Sequence, residues 1–226
     1  MGDHSMRLSQ YRTLIASLPV HQQSFTSKRR TWGQNIPAEM AGLFGSSAAL
    51  TMSRGDVFAI AKTTPPDIRR LVYAVILWGY PAGGRGKNFE RMVAKMDVLE
   101  GLLSKIRVQN GNEIPDWSAH WNEAFREVRS ANRIDGVGLS TYSKMLYFLR
   151  ARVNGHPCLI LDNVLMEVFN AGKFDEFAHL ETIRYDNAWQ HYPAYLKSMA
   201  DEATNLDVSG DSLEMFLFTF GPILKA

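Results

Sequence analysis

Cysteine is nearly missing: Cys158 stands alone among 226 residues, which excludes an intrachain disulfide framework. No Cys/His spacing of the zinc-binding kind accompanies it, so neither a metal nor another cofactor is expected. Also lacking is any run of eighteen or more apolar residues, the length a membrane-spanning helix needs. The start of the chain shows no basic, apolar and small-residue signal pattern, so a cytoplasmic protein with no membrane partner is expected. Residues 1–5, which precede a second methionine at Met6, read as a cloning remnant and stay outside the fold reasoning. Strand-like alternation is scarce, and no internal repeat or low-complexity tract stands out. The G-x-x-x-x-G-K-[ST] loop of nucleotide-binding proteins is absent, which argues against ATP.

What remains is a chain able to bury a sizeable core, with 46% hydrophobic residues and a net charge of +2. The charge is unevenly spread. Residues 1–150 hold 20 Lys and Arg against 12 Asp and Glu, whereas residues 151–226 hold 5 against 11. A basic first part is suited to a polyanion such as DNA.

Helical periodicity dominates. Pro65, Pro66 and Asp67 precede an apolar helix from Ile68 to Trp78 that ends at Gly79-Tyr80-Pro81. Phe89, Met92, Val93, Met96, Leu99, Leu102, Leu103 and Ile106 follow the three-and-four spacing of one amphipathic helix face. Further helices are expected at Trp117–Val128, along the Trp189, Tyr192, Leu196, Met199 and Ala203 stripe, and at Ser212–Phe220. The fold class is all-α, and residues 6–226 are expected to form a single helical unit, monomeric.

Two loops interrupt the helices. Tyr80 to Asn88 carries three glycines with Arg85 and Lys87 directly before a helix start, where free amides can receive DNA phosphate or simply form a turn. Ile134-Asp135-Gly136-Val137-Gly138 lies between a helix around Ala124–Ala131 and a second from about Leu139 to Val153. Its glycines permit a tight hairpin and leave backbone N–H groups bare for a phosphate. Such a grip positions a duplex without reading its bases. After Asn154-Gly155-His156-Pro157 comes the apolar run Cys158–Leu161, and then Asp162 opens a helix from Asn163 to Phe169.

In these segments the chain resembles the helix-hairpin-helix superfamily of DNA glycosylases, in particular its 8-oxoguanine glycosylase-like branch. The resemblance covers about residues 118–170, with the hairpin at 118–153 and a catalytic segment at 154–170. It implies helical lobes flanking a DNA and base cleft, with DNA as the partner. Gly136, Val137, Gly138 and Ser140, joined by Arg85 and Lys87, are then expected at the DNA backbone, and Asp162 at the chemistry.

Breaking an N-glycosidic bond develops positive charge on the deoxyribose, and a fixed carboxylate beside that sugar stabilises it and can orient water. The plainer role for Asp162 is an N-cap, and the two are compatible because a cap fixes the carboxylate. Lysine-using members of the superfamily place a nucleophilic lysine two residues after the second hairpin glycine, where this chain has Ser140. Lys144 lies one turn further, displaced by roughly 6 Å along the helix and about 40° around it. Its amine has three open roles: nucleophile, phosphate contact or solvated side chain. The missing lysine favours hydrolysis that leaves an intact abasic site, with a glycosylase/lyase using Lys144 as the alternative.

An extruded base needs an aromatic, hydrogen-bonding pocket. Candidates are Trp32 with Gln34 and Asn35, Trp78 with Tyr80, Tyr185 with Asp186, and His191; Trp189 and Tyr192 are expected in the core. The substrate stays open between 8-oxoguanine, implying repair, and a hypermodified viral base such as glucosylated hydroxymethylcytosine, implying defence. Two other classes compete with an enzyme: a non-catalytic hairpin DNA-binding protein, and a helical scaffold with no salt-dependent affinity for DNA.

Overall fold

The computed structural model describes residues 6–33, 36–64, 67–83, 87–108 and 136–224. Several sequence-based expectations therefore lie outside the described residues. They concern residues 1–5, Gln34, Asn35, Pro65, Pro66, Arg85, the helix expected at Trp117–Val128, the first helix of the hairpin, and Ile134 with Asp135.

The described elements are mostly helical: α1 (Arg12–Ser17), α2 (Ala38–Phe44), α3 (Arg54–Ala61), α4 (Ile68–Gly79), α5 (Asn88–Val93), α6 (Met96–Val108), α7 (Leu139–Phe148), α8 (Asn163–Asn170), α9 (Ala188–Leu206) and α10 (Gly210–Phe220). The all-α expectation holds. The centre is α4, started by the Asp67 side chain accepting from the Arg70 amide. Its residues are buried without interruption from Leu71 to Trp78, because α2, α3, α6, α7 and the first strand all pack against it. From Leu71 to Trp78 the helix is enclosed on every side and is apolar all round, while Arg69 and Arg70 stay at its more exposed start.

Three local features depart from expectation. A short antiparallel pair, β1 (Ser24–Lys28) and β2 (Ala49–Ser53), packs against α4. The amphipathic face from Phe89 to Ile106 is carried by two helices, because at Lys95 the amide bonds back three residues, to Met92, and the chain turns before α6. Met92, Met96, Leu99, Leu102, Leu103 and Ile106 are nonetheless all buried.

The third departure is the end of α7, which stops at Phe148 and not at Val153. Arg150 adopts φ +54°, its amide bonds to Tyr147, and the Ala151 amide bonds to Leu146. This is a Schellman-type stop made without glycine, with the Arg150 guanidinium 4.6 Å from the Phe58 ring centre. The chain then makes a two-residue hairpin, β3 (Arg152–Val153) and β4 (His156–Pro157), whose Asn154 and Gly155 both have positive φ, as a type I′ turn requires.

The hairpin feeds the extended connector from Cys158 to Leu161, all of it buried. Buried backbone polar groups need partners, and helical neighbours supply them. The Tyr192 hydroxyl donates to Leu159 O at 2.7 Å, the Tyr195 hydroxyl to Ile160 O at 2.6 Å, and the Leu161 amide to Ser143 Oγ at 3.1 Å. Burial pushes both phenols well above their ordinary ionisation range, so they remain donors. Tyr195→Phe strands the Ile160 carbonyl and is expected to cost about 1–3 kcal/mol. Thermal unfolding checks this, at roughly 2–4 °C per kcal/mol for a chain of this size.

Candidate active site

The connector's purpose in the fold is to deliver Asp162. Its Oδ1 accepts from the amides of Val164 at 3.1 Å and Leu165 at 3.3 Å, capping α8 and fixing the carboxylate's orientation. Its Oδ2 faces the Lys144 ammonium at 3.2 Å. Asp162 is therefore both a cap and half of an ion pair that is almost out of water.

Lys144 reaches this position because long helical side chains lean toward the helix start. Its Nζ comes back one turn to lie 3.2 Å from both the carbonyl and the hydroxyl oxygen of Ser140, the place where the lysine expected of lysine-using relatives is missing. Its side chain is only 4% exposed, which excludes the solvated-surface role in this conformation. Gly79 makes the room: a Cβ there would fall 2.9 Å from Lys144 Cδ. The Tyr80 ring centre lies 5.5 Å from the ammonium, and the Tyr80 hydroxyl bonds to Thr141 Oγ1 at 2.7 Å.

These groups open on a cleft of about 590 Å³. The hairpin glycines line the same cleft. Gly136 has φ +88°, and a Cβ there would fall 2.0 Å from Asn88 O, so both its conformation and its close packing on the start of α5 demand glycine. Gly138 precedes α7 and offers no side-chain cap; a Cβ there would meet the Tyr185 hydroxyl at 2.1 Å. Val137 turns its side chain into the core, and Lys87 is exposed.

Of the expected base-pocket residues, Trp32, Trp78, Tyr80 and Tyr185 line the cleft. Trp32 meets Phe89 edge-on at 5.1 Å, and Trp78 is held between Phe25 and Phe148 with its Nε1 donating to Gln23 O at 3.3 Å. Asp186 and His191 are not among the lining residues, and Trp189 and Tyr192 are core. Sequence reasoning missed Arg54 and Glu214, a pair 2.7 Å apart whose side chains are each 1% exposed and which also line the cleft. Burial, the largest influence, raises the ionisation range of Glu214, and the Arg54 guanidinium offsets this only in part.

Among the described residues there is no group of His, Cys, Asp or Glu able to hold a metal ion, and no helix is long and apolar enough to cross a membrane.

A mostly helical fold that sets Gly136, Gly138 and a capped aspartate on one cleft is consistent with the helix-hairpin-helix glycosylase type. The family model described as "Putative 8-oxoguanine DNA glycosylase OGG-like protein" matches residues 18–218, and the chain belongs to that family. No curated protein and no solved structure matches it.

Proposed function

We propose that this protein is a DNA glycosylase that draws a modified base out of the duplex into the cleft and hydrolyses its N-glycosidic bond, leaving an abasic site. The observation that carries the reading is the Asp162 carboxylate, fixed by two amides and by Lys144 on the cleft that the hairpin glycines also line. DNA phosphate is held by the backbone around Gly136–Gly138, and Ser140, Arg85 and Lys87 add to that grip. With the sugar beside Asp162, positive charge growing as the bond breaks meets a preorganised negative one, and water completes the exchange. Lys144 keeps that carboxylate in place. The hairpin at 118–153 and the catalytic segment at 154–170 work as parts of one monomeric unit in the cytoplasm.

The reading keeps two substrates: 8-oxoguanine, which makes the activity repair, and a hypermodified viral base such as glucosylated hydroxymethylcytosine, which makes it defence. A cleft of about 590 Å³ lies within the range that encloses drug-sized ligands, so a bulky substituent has room. Incubation with genomic DNA from several sources, including viruses with modified bases, followed by mass spectrometry of released bases, tests the reading. Release from none of them overturns it.

The position of Lys144 favours a second reading. Its amine lies against Asp162, so a Lys144 that has passed a proton to that carboxylate would attack the sugar carbon as the bond to the base breaks and the base leaves with a proton; opening of the sugar ring at its C–O bond then gives the Schiff base that permits strand cleavage. Hydrolysis predicts no adduct on borohydride treatment and strand breaks only after alkali. A covalent protein–DNA adduct that is lost in Lys144→Ala establishes the lyase instead.

A further inference from the structure

Three buried polar atoms of cleft-lining residues have no hydrogen-bond partner among the described residues: both carboxylate oxygens of Glu214 and Trp32 Nε1. Native proteins rarely leave such atoms unmet, and where they do a ligand is a physical reason for it. Glu214 is not a stray surface acid. It sits within the apolar run of α10, its Oε2 lies 2.7 Å from Arg54 Nη1, and both side chains are 1% exposed. Arg54 is itself clamped, its Nε donating to Gln23 Oε1 at 2.6 Å and its Nη1 to the Tyr147 hydroxyl at 3.1 Å, with the guanidinium 5.2 Å from the Trp78 ring centre. The ion pair therefore fixes the carboxylate in place, while neither of its oxygens accepts a hydrogen bond among the described residues. Glu214 and Asp162 line the same cleft, which puts the acid on the site of the proposed chemistry.

The chemistry of the unmet atoms defines their complement. An ionised carboxylate oxygen only accepts, so the ligand atom that meets it carries N–H; an indole N–H only donates, so its partner is a carbonyl oxygen or ring nitrogen. Guanine-type and cytosine-type bases offer an exocyclic amino group together with such acceptors. Their oxo counterparts replace that amino group by a carbonyl and bring acceptor against acceptor, an arrangement that a buried polar site rejects strongly. We propose that Glu214 is the specificity-determining residue of this cleft, accepting the exocyclic amino group of the extruded base while Trp32 donates to one of its acceptors. The enzyme then takes amino-bearing modified bases and refuses the matching oxo bases. This deepens the glycosylase reading and rests on it.

The test uses paired duplexes in which a carbonyl replaces the amino group, the neighbouring ring nitrogen gaining a proton with it: 8-oxoguanine against 8-oxoxanthine, and glucosylated hydroxymethylcytosine against glucosylated hydroxymethyluracil. Base release by the full chain is one readout. Equilibrium binding of the Asp162→Asn protein to the same duplexes is the other, and it does not depend on bond cleavage. The amino member of the substrate pair is expected to be released at least about 100-fold faster and to bind more tightly. Glu214→Gln, which presents a donor as well as an acceptor, is expected to reduce that ratio at least about tenfold. The pair that responds identifies the base as purine or pyrimidine. Equal treatment of both members in both pairs overturns the proposal, as does an unchanged ratio in a folded Glu214→Gln protein. Should that variant fail to fold, the ranking by the Glu214 protein decides alone. Should no duplex lose a base, the glycosylase reading falls, and the binding ranking still decides the role of Glu214.

Discussion

Asp162→Asn is expected to lower base excision at least about 100-fold, the scale on which one preorganised electrostatic group acts in a transition state, while DNA binding persists. The substitution separates the two jobs of this residue. Asparagine is as good an N-cap as aspartate, so the bonds from the Val164 and Leu165 amides to Oδ1 are retained and α8 keeps its start. What disappears is the negative charge that faces Lys144 at 3.2 Å and, in the proposed complex, the sugar. Lys144 keeps its contacts with the Ser140 carbonyl and hydroxyl, which limits the disturbance to the fold. Removing a negative charge from a surface that meets phosphates leaves DNA affinity equal or slightly higher, with the same salt dependence. Single-turnover excision, duplex titration at two salt concentrations and a thermal melt measure the three quantities. Binding retained with excision lost supports the enzymatic reading. An unchanged excision rate removes Asp162 from the chemistry, and a protein that never released a base is the non-catalytic DNA binder.

The two ends of the path, Gly136–Gly138 and the connector into Asp162, were legible because each is local. The hairpin glycines, the apolar connector and the capping aspartate follow one another in the chain, and their residue types state their conformations. Lys144 was legible as a departure, through the serine at 140, although its position was not. Only the structure shows the side chain leaning back to Ser140 into space left by Gly79. The β1–β2 pair escaped because each strand is five residues long and turns only two side chains inward, Phe25 with Ser27 and Leu50 with Met52, one of them a serine, too short an alternation to read. The end of α7 escaped because Arg150 makes the left-handed stop where glycine would have announced it. Arg54 and Glu214 stand 160 positions apart, and their pairing follows from packing. Half of a signal was present, since Glu214 is the lone acid between Leu213 and Phe220, where an unpaired charge is costly to bury.

Arg54→Met is expected to destabilise the fold by about 3–5 kcal/mol, the usual cost of breaking a buried ion pair from one side. The loss goes beyond the pair. The guanidinium also donates to Gln23 and Tyr147 and lies over the Trp78 and Tyr147 rings, so methionine keeps volume while giving up every polar contact. Glu214 is then buried with no countercharge beside it, facing the influence of Asp162 and of Asp211 on its own helix. The pH dependence follows from the sign of its shift. Burial already raises the ionisation range of Glu214 in the folded protein, and removing Arg54 removes the group that held it down. A raised carboxyl favours folding only while it is protonated, so its contribution is present below its unfolded range, near pH 4.5, and is lost as pH rises through the folded one. The deficit of Arg54→Met relative to the parent is therefore smallest in mild acid and grows toward neutral pH. Replacing both partners, as Arg54→Met with Glu214→Leu, removes the unpaired charge and is expected to recover most of the stability at neutral pH. Denaturant melts of the three proteins at pH 5 and pH 7.5 measure this. A deficit independent of pH, or a double variant no better than the single one, shows that Arg54 matters through its packing on the rings and not through Glu214. In the proposed pocket the double variant regains a stable fold while losing the acceptor for the base, separating what the pair does for stability from what Glu214 does for recognition.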